Sequence, residues 1–324
     1  MTRYLIRRVL FLVFVLWVVS ILTFLIFVKL PPGNPAVRAA GRAQTPETIA
    51  AARHALGLDK PVWVQYARFA KGLVPWPGWF LNKEVYFSWS NFVPVRDEIF
   101  NRLPVTIVLA IGAGVIWLLM GIPIGIVSAV KRHSAVDRAG MLFALFGVSA
   151  PVFWLAYVLL YVFWFKFHIR AFGSGIPIGQ SALSAALHGR FVLPWFTLAL
   201  TYSAFYARIL RSSLIDTMHE DFIRTARAKG ASERRVILRH GVRVAITPIV
   251  TLFGIDLGYL LGGAIIVENV FNLQGVGQLG IESLYTNDFP AVMGVTVLAA
   301  LFIVFANLVV DVLYAFLDPR IRYT

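Results

Sequence analysis

The sequence predicts an all-α protein, a polytopic membrane helix bundle of six transmembrane helices. Hydrophobic residues fill 59% of its 324 positions and charged residues only 14%, too few to cover the surface of a soluble domain of this length. The apolar residues also gather in runs of about twenty instead of alternating, the length that crosses roughly 30 Å of hydrocarbon. Cysteine is absent, which excludes disulfide and thiolate chemistry. The six histidines are scattered, with no pair at metal-ligand spacing, so no metal site is predicted. A net charge of +14 would suggest nucleic acid for a soluble chain. In a membrane chain it sorts between the two faces, and the lipid bilayer, not nucleic acid, is the expected partner.

The chain opens with Arg3, Arg7 and Arg8 ahead of an apolar run from Val9 to Val28. That run exceeds the core of a signal peptide and reads as an uncleaved first span. A polar segment, 31–102, follows and begins with Pro31-Pro32-Gly33-Asn34-Pro35, which no helix survives. Within it, Thr45-Pro46-Glu47 supplies an N-cap, a proline at the first helical position and an acid for the helix start. That helix is expected to reach Leu56 and stop at Gly57, while Trp76, Trp79 and Trp89 place the later part beside lipid headgroups. Five further spans are expected at Leu103–Val130, Ala139–Phe165, Phe191–Leu210, Ile246–Val267 and Ala291–Leu317. The chain thus divides into residues 1–30 (N-terminus and first span), 31–102 (an extracytoplasmic segment) and 103–324, a five-helix core that includes a loop at 211–243.

Arginine and lysine choose the side. One face collects Arg3, Arg7, Arg8, Lys131, Arg132, Arg138, nine bases between Arg208 and Arg243, and Arg320 and Arg322. The opposite face carries most of its bases in the long 31–102 segment, which counts little toward orientation. Both termini are therefore expected in the cytoplasm, with the chain in the cell (plasma or inner) membrane.

The loop between spans four and five is far longer than a helical hairpin needs. Asp216, Glu220 and Asp221 precede Phe222-Ile223-Arg224-Thr225-Ala226-Arg227-Ala228-Lys229, and Gly230 follows. Acid at the start, base at the end and glycine just beyond punctuate a short helix. Ser232 then opens a second helix through His240. Phe222, Ala226 and Gly230 recur every four residues, a narrow stripe of small and apolar residues flanked by arginine that suits docking into another protein's groove. The plainer alternative is a positive-inside anchor with helical leanings.

At this loop the chain resembles a known family. Arg224-Thr225-Ala226-Arg227-Ala228-Lys229-Gly230, with His240 ten residues on, is similar to the cytoplasmic loop of ABC importer permeases of the dipeptide/oligopeptide/nickel branch. The resemblance extends to Gly262-Gly263-Ala264-Ile265-Ile266-Val267-Glu268-Asn269-Val270-Phe271, to Gly275-Val276-Gly277 and to the stretch from Asn307 to Arg320. Tyr4 to Arg8 and Leu56 to Pro61 also fit. The chain departs from the general pattern at Arg224, Thr225 and Arg243, at Phe80 to Glu84 and at Gln274. The resemblance implies that Phe222, Arg224, Thr225, Ala226, Arg227, Lys229, Gly230 and His240 form the contact to a cytoplasmic ATPase. It also implies a second, homologous permease, two ATPase subunits and an extracytoplasmic substrate-binding protein. None of the seven lysines follows a glycine, so the phosphate-binding G-x-x-x-x-G-K-[ST] loop is absent. ATP and Mg are accordingly expected on the partner ATPases, with no cofactor on this chain.

Polar residues inside the spans are the remaining signals. A central Asp256 costs about 2.5–3.5 kcal/mol on insertion scales. It is either a carboxylate on the substrate path, meeting a peptide's ammonium group, or a strut to neighbouring helices. Gly258 and Gly262, with Gly254, form a small-residue face for the path, for a permease–permease interface or for ordinary packing. Glu268 is a candidate at an external gate or a solvated cap. Asn307 and Asp311 share a helical face near the cytoplasmic end and read as structural or coupling contacts. A secondary transporter using Asp256 for ion coupling is the alternative function, but it leaves the basic loop idle. An intramembrane enzyme would need paired groups. Asp256 and Asp311 would be its candidates, but no second catalytic partner is evident for either, so no catalytic residue is predicted.

Overall fold

Lipid offers no hydrogen-bond partners, so a spanning backbone must satisfy itself, and a helix does this within one segment. The computed structural model describes residues 2–29, 36–37, 40, 45–55, 57–73, 87–172, 174–176 and 179–317. The Pro31–Pro35 run, Leu56, Trp76, Trp79, the Phe80–Glu84 stretch, Asp318, Arg320 and Arg322 lie outside these residues. Among the described residues the regular structure is helical, with one isolated bridge between Phe87 and Pro94.

Helix α1 (Thr2–Phe24) continues through π-helical turns to Lys29. Helix α2 (Pro46–Ala55) is capped by Thr45, whose Oγ1 accepts the Thr48 amide at 3.2 Å. It ends at Gly57, where the Leu58 amide donates back to the Arg53 carbonyl at 2.9 Å. Helix α3 (Val62–Leu73) lies against α1, with Ser20 hydroxyl 2.8 Å from Tyr66 hydroxyl and the Phe24 ring edge-on to Tyr66. Residues 88–90 are pinned to the start of the last helix by Asp288. Its carboxylate accepts from Ser88 Oγ, from Ser90 Oγ at 2.9 Å and from the Trp89 amide at 3.1 Å.

Helix α4 (Val95–Val130) starts eight residues before the span expected at Leu103. The charges at Arg96, Asp97, Glu98 and Arg102 hide the start, yet Asp97 and Glu98 in the first turn suit a helix N-terminus. The expected single span Ala139–Phe165 is two helices, α5 (Ala135–Ser149) and α6 (Val152–Lys166), meeting at 103°. The break is Pro151, which lacks an amide donor and forces Ala150 to an extended backbone, φ −75° and ψ 122°. The α6 rings singled out as lipid-facing or core, Phe153, Trp154, Tyr157, Tyr161 and Trp164, are exposed on its outer face.

After the short α7 (Ala182–Leu187), α8 (Val192–Thr217) runs 26 residues, about 39 Å, through the middle of the bundle. It extends two turns beyond the expected end at Leu210, because buried Leu214 and Thr217 and the pairing of Arg211 keep its last turns on protein. Gly121 and Gly125 of α4 and Gly147 of α5 let the three helices close up. A methyl group at 125 would lie 2.9 Å from the Ala207 carbonyl, and one at 147 would lie 2.5 Å from Ala204 Cβ. Trp117, Tyr206, Leu210 and Ile249 fill the core around α8.

The loop helices α9 (Asp221–Ala228) and α10 (Glu233–Ala245) lead into α11 (Thr247–Leu261), with a 46° bend between the last two. The expected span to Val267 stops at Gly262-Gly263. Gly263 adopts φ +126°, and a side chain there would run into Gly277, so the chain can break only with glycine. Helices α12 (Ile265–Val270) and α13 (Val276–Tyr285) fold back before α14 (Phe289–Leu317). Gly254, Gly258 and Gly262 face α14. A methyl group at these positions would press on Val310, Ala306 and Ala299.

Segments Ile6–Val28, Val95–Val130 and Phe289–Val312 are long and apolar enough to cross a membrane alone, and each bent pair, α5–α6 and α10–α11, passes as one span. Helix α8 stands where the sequence expects the fourth span; it carries Thr197, Thr201, Tyr202 and Ser203 and is mostly buried among the other helices, and it is not among the segments apolar enough to cross by themselves.

Candidate functional site

The 218–232 region builds the surface on which the sequence concentrates its signals. Helix α9 has Asp221 in its first turn and Arg227 in its last, charges that complement the helix dipole. Its end is a double hydrogen-bonded stop. The Gly230 amide donates to the Arg227 carbonyl at 2.9 Å, and the Ala231 amide donates to Ala226 at 3.3 Å. Gly230 sits at φ +77° with open space where a side chain would be. Arg227 then reaches across the turn to the first residue of α10: its Nη2 and Nε donate to Glu233 at 2.7 and 3.1 Å. The same guanidinium holds the Glu233 carboxyl below the usual carboxylate range. Ser232 has an extended cap backbone, but its hydroxyl makes no cap bond; Glu233 and Arg227 close the turn instead.

One side of α9 is anchored: Ile223 is fully buried against the bundle. The other side is free, and Phe222, Thr225, Ala226, Lys229 and Gly230 line a cleft with His240 of α10. Six of the eight residues singled out for docking thus share one concave surface. Arg224 and Arg227 do not line it. Arg224 stays beside Asp221 at 3.4 Å, and Arg227 pairs with Glu233 on the opposite side. A second cleft on that side is bounded by Arg132, Leu214, Met218, His219, Arg227 and Glu233.

The residues singled out inside the spans separate into different environments. Asp256 is half-buried on α11 and accepts a hydrogen bond from Tyr206 Oη of α8 at 2.7 Å. Beside it the Trp117 ring stacks on Tyr202 with centroids 4.7 Å apart and meets Phe253 edge-on. Gly258 and Gly262 face α14 of the same chain, where they let the two helices pack closely. Glu268 is not a solvated cap. It is fully buried on α12, where Oε1 accepts from Thr106 Oγ1 at 2.8 Å and Oε2 from the Gln278 amide at 2.9 Å. It thereby fastens the start of α13 to α4, and Gly275 and Gly277 leave the room for its carboxylate. Asp311 pairs with Arg8 of α1, and Asn307, one turn earlier on α14, is half-buried.

One pair escaped the sequence reading. Arg211, near the end of α8, donates to both oxygens of Asp137 at 2.6 and 2.8 Å. Asp137 also accepts the His133 amide at 2.9 Å, and its own amide is held by the Ser134 cap at 3.2 Å. The Ser134-to-Asp137 spacing is a readable helix start, but nothing local announces a partner 74 residues away.

Comparison with known proteins places the chain. Residues 121–323 match the family described as binding-protein-dependent transport system inner membrane component, and residues 1–110 match its N-terminal counterpart. The chain is 39% identical over 324 residues, all of both chains, to the glutathione transport system permease protein GsiC of Salmonella paratyphi A. It is 38% identical over the same full length to the GsiC proteins of Salmonella typhi and Escherichia coli K12. The chain therefore belongs to the binding-protein-dependent inner membrane components, the permease subunits of ABC importers, and is a multi-pass membrane transport protein rather than an enzyme.

Proposed function

We propose that this permease, paired with a second homologous permease, forms the path by which small peptides are imported, driven by ATP hydrolysis on two partner ATPases. The observation that carries the reading is α9: a short helix anchored by Ile223, stopped by Gly230 and open along Phe222, Thr225, Ala226 and Lys229. A helix fixed on one side and free on the other transmits force to whatever grips it, which suits rigid-body switching of a bundle. Phe222, Thr225, Ala226, Lys229, Gly230 and His240 are read as this docking surface, with Arg224 flanking it beside Asp221 and Arg227 fixing the turn through Glu233. The chain lacks a phosphate-binding loop, so ATP and Mg belong on the partners. The arginine and lysine bias assigns the loop and both termini to the cytoplasm and the 31–102 segment to the outside.

The full-length relatives are named for glutathione transport, which supports a small-peptide substrate delivered by an extracytoplasmic binding protein. Asp256 is the candidate path residue. Hydrocarbon cannot solvate a half-exposed carboxylate, whereas a hydrated path can, and a substrate ammonium group is its natural partner.

The test is reconstitution. In liposomes with both ATPases, the second permease and the binding protein, glutathione or dipeptide uptake should require ATP. The chain alone should move neither under a proton gradient; ATP-independent uptake by the chain alone sinks the reading. Ala226→Trp, which fills the cleft, should abolish ATP-driven uptake while the spans remain folded.

A further inference from the structure

The strongest unassigned feature is the Asp137–Arg211 pair. Asp137 is 4% exposed, and both of its oxygens are engaged by the planar guanidinium. Two parallel contacts fix direction as well as distance, which a single point charge does not. A hydrophobic pair would hold two helices together as well as a buried ion pair does, so packing by itself gives no reason for charges here.

Position supplies one. Arg211 stands on α8 six residues before its end at Thr217, and α9 starts at Asp221. Asp137 stands in the first turn of α5 and also holds the turn after α4 through the His133 amide. One carboxylate therefore ties the ends of α4, α5 and α8 together beside the docking loop. On its other side the loop faces the ends of α4 and α8 across one cleft, which Arg227 and Glu233 bound together with Arg132, Leu214 and Met218. Further up α8, Ala204 packs on Gly147 of α5, so the two helices move as a unit once their ends are locked.

We propose that Asp137 and Arg211 are positioning residues for coupling: the pair passes displacement of the loop helix α9, through α8, to α5 and the α4–α5 turn. Without the paired charges, ATP-driven movement of α9 is absorbed at the end of α8 and does not reach the rest of the bundle. The inference rests on the ATPase-driven reading above.

The test compares wild type, Asp137→Asn and Arg211→Lys in the complete reconstituted transporter, measuring substrate transported per ATP hydrolysed. Asp137→Asn keeps the shape and an acceptor for His133 but removes the charge. Arg211→Lys keeps the charge but removes the fork. Asp137→Asn should hydrolyse ATP at a rate near that of wild type while transport per ATP falls about tenfold, the scale of an ordinary coupling free energy. Arg211→Lys should give an intermediate ratio, and Asp137→Glu should recover most of it. A merely structural role would lower the yield of assembled complex and leave the ratio per assembled complex unchanged; that result overturns the proposal. If Asp137→Asn does not assemble, Arg211→Lys carries the same test, and an unchanged ratio there is equally fatal. Failure of wild type itself to show ATP-driven uptake would instead overturn the ATPase-driven reading.

Discussion

Replacing Glu268 by alanine leaves the Gln278 amide without its acceptor in a fully enclosed site. An unsatisfied buried donor costs about 1–3 kcal/mol, so Glu268→Ala should lower the unfolding temperature in detergent. Glu268→Gln should lose less, because its carbonyl oxygen can still accept the Gln278 amide while its NH2 takes the place of the acceptor that the Thr106 hydroxyl uses. Equal melting of all three proteins would contradict the buried network. Gly258→Val tests the helix pair α11–α14. A methyl group there already meets Ala306 Cβ at 2.6 Å, and overpacking of this kind costs about 1–3 kcal/mol. The sequence marks these residues as unusual but not as buried. A carboxylate after an apolar run reads as a solvated cap unless one knows that Thr106 and Gln278 converge on it. Asp256 was legible for the opposite reason: a charge in the middle of an apolar span is costly wherever it points.

At the scale of elements, the turn after α9 offers a clean experiment. Gly230 has φ +77° and nothing within reach of an added side chain. Gly230→Ala therefore meets no neighbouring group and incurs only the strain of its own Cβ in the left-handed region, about 1–2 kcal/mol. Gly230→Asn, which tolerates that region, should lose less. ATP-driven uptake should rank glycine, asparagine, alanine, with the bundle folded in each; alanine performing as well as glycine would mean the turn is not held in this conformation. The loop helices were readable because acid, base and glycine are local signals. The break between α5 and α6 also has a local cause in Pro151, yet apolar composition ran straight across it and suggested one helix. Likewise α8 passed beyond Leu210 unseen, since its charged last turns resemble loop until Asp137 is known to receive Arg211.

Across the whole molecule, Arg8 and Asp311 join the first helix to the last, closing the bundle between two elements about 300 residues apart. Asp311→Asn removes half of a charge-assisted pair, worth about 1–3 kcal/mol for a hydrogen bond to a charged group. It should speed proteolytic release of the N-terminal helix in detergent, and unchanged cleavage would show that α1 is held by its apolar contacts alone. This clamp uses Asp311, one of the two residues on α14 that the sequence assigned to a structural or coupling contact, but its partner lies at the far end of the chain.

Composition, run length and the order of charged segments determined the class of this protein: a membrane helix bundle whose basic loop awaits a partner. These properties follow from transfer free energies summed over consecutive residues, and a sequence displays such sums directly. Which polar groups meet was decided only in three dimensions. Glu268 with Thr106, Asp137 with Arg211, Asp256 with Tyr206 and Arg8 with Asp311 are each a pairing between separate helices. Their energy depends on distances that no local pattern carries, because they arise only when the helices pack.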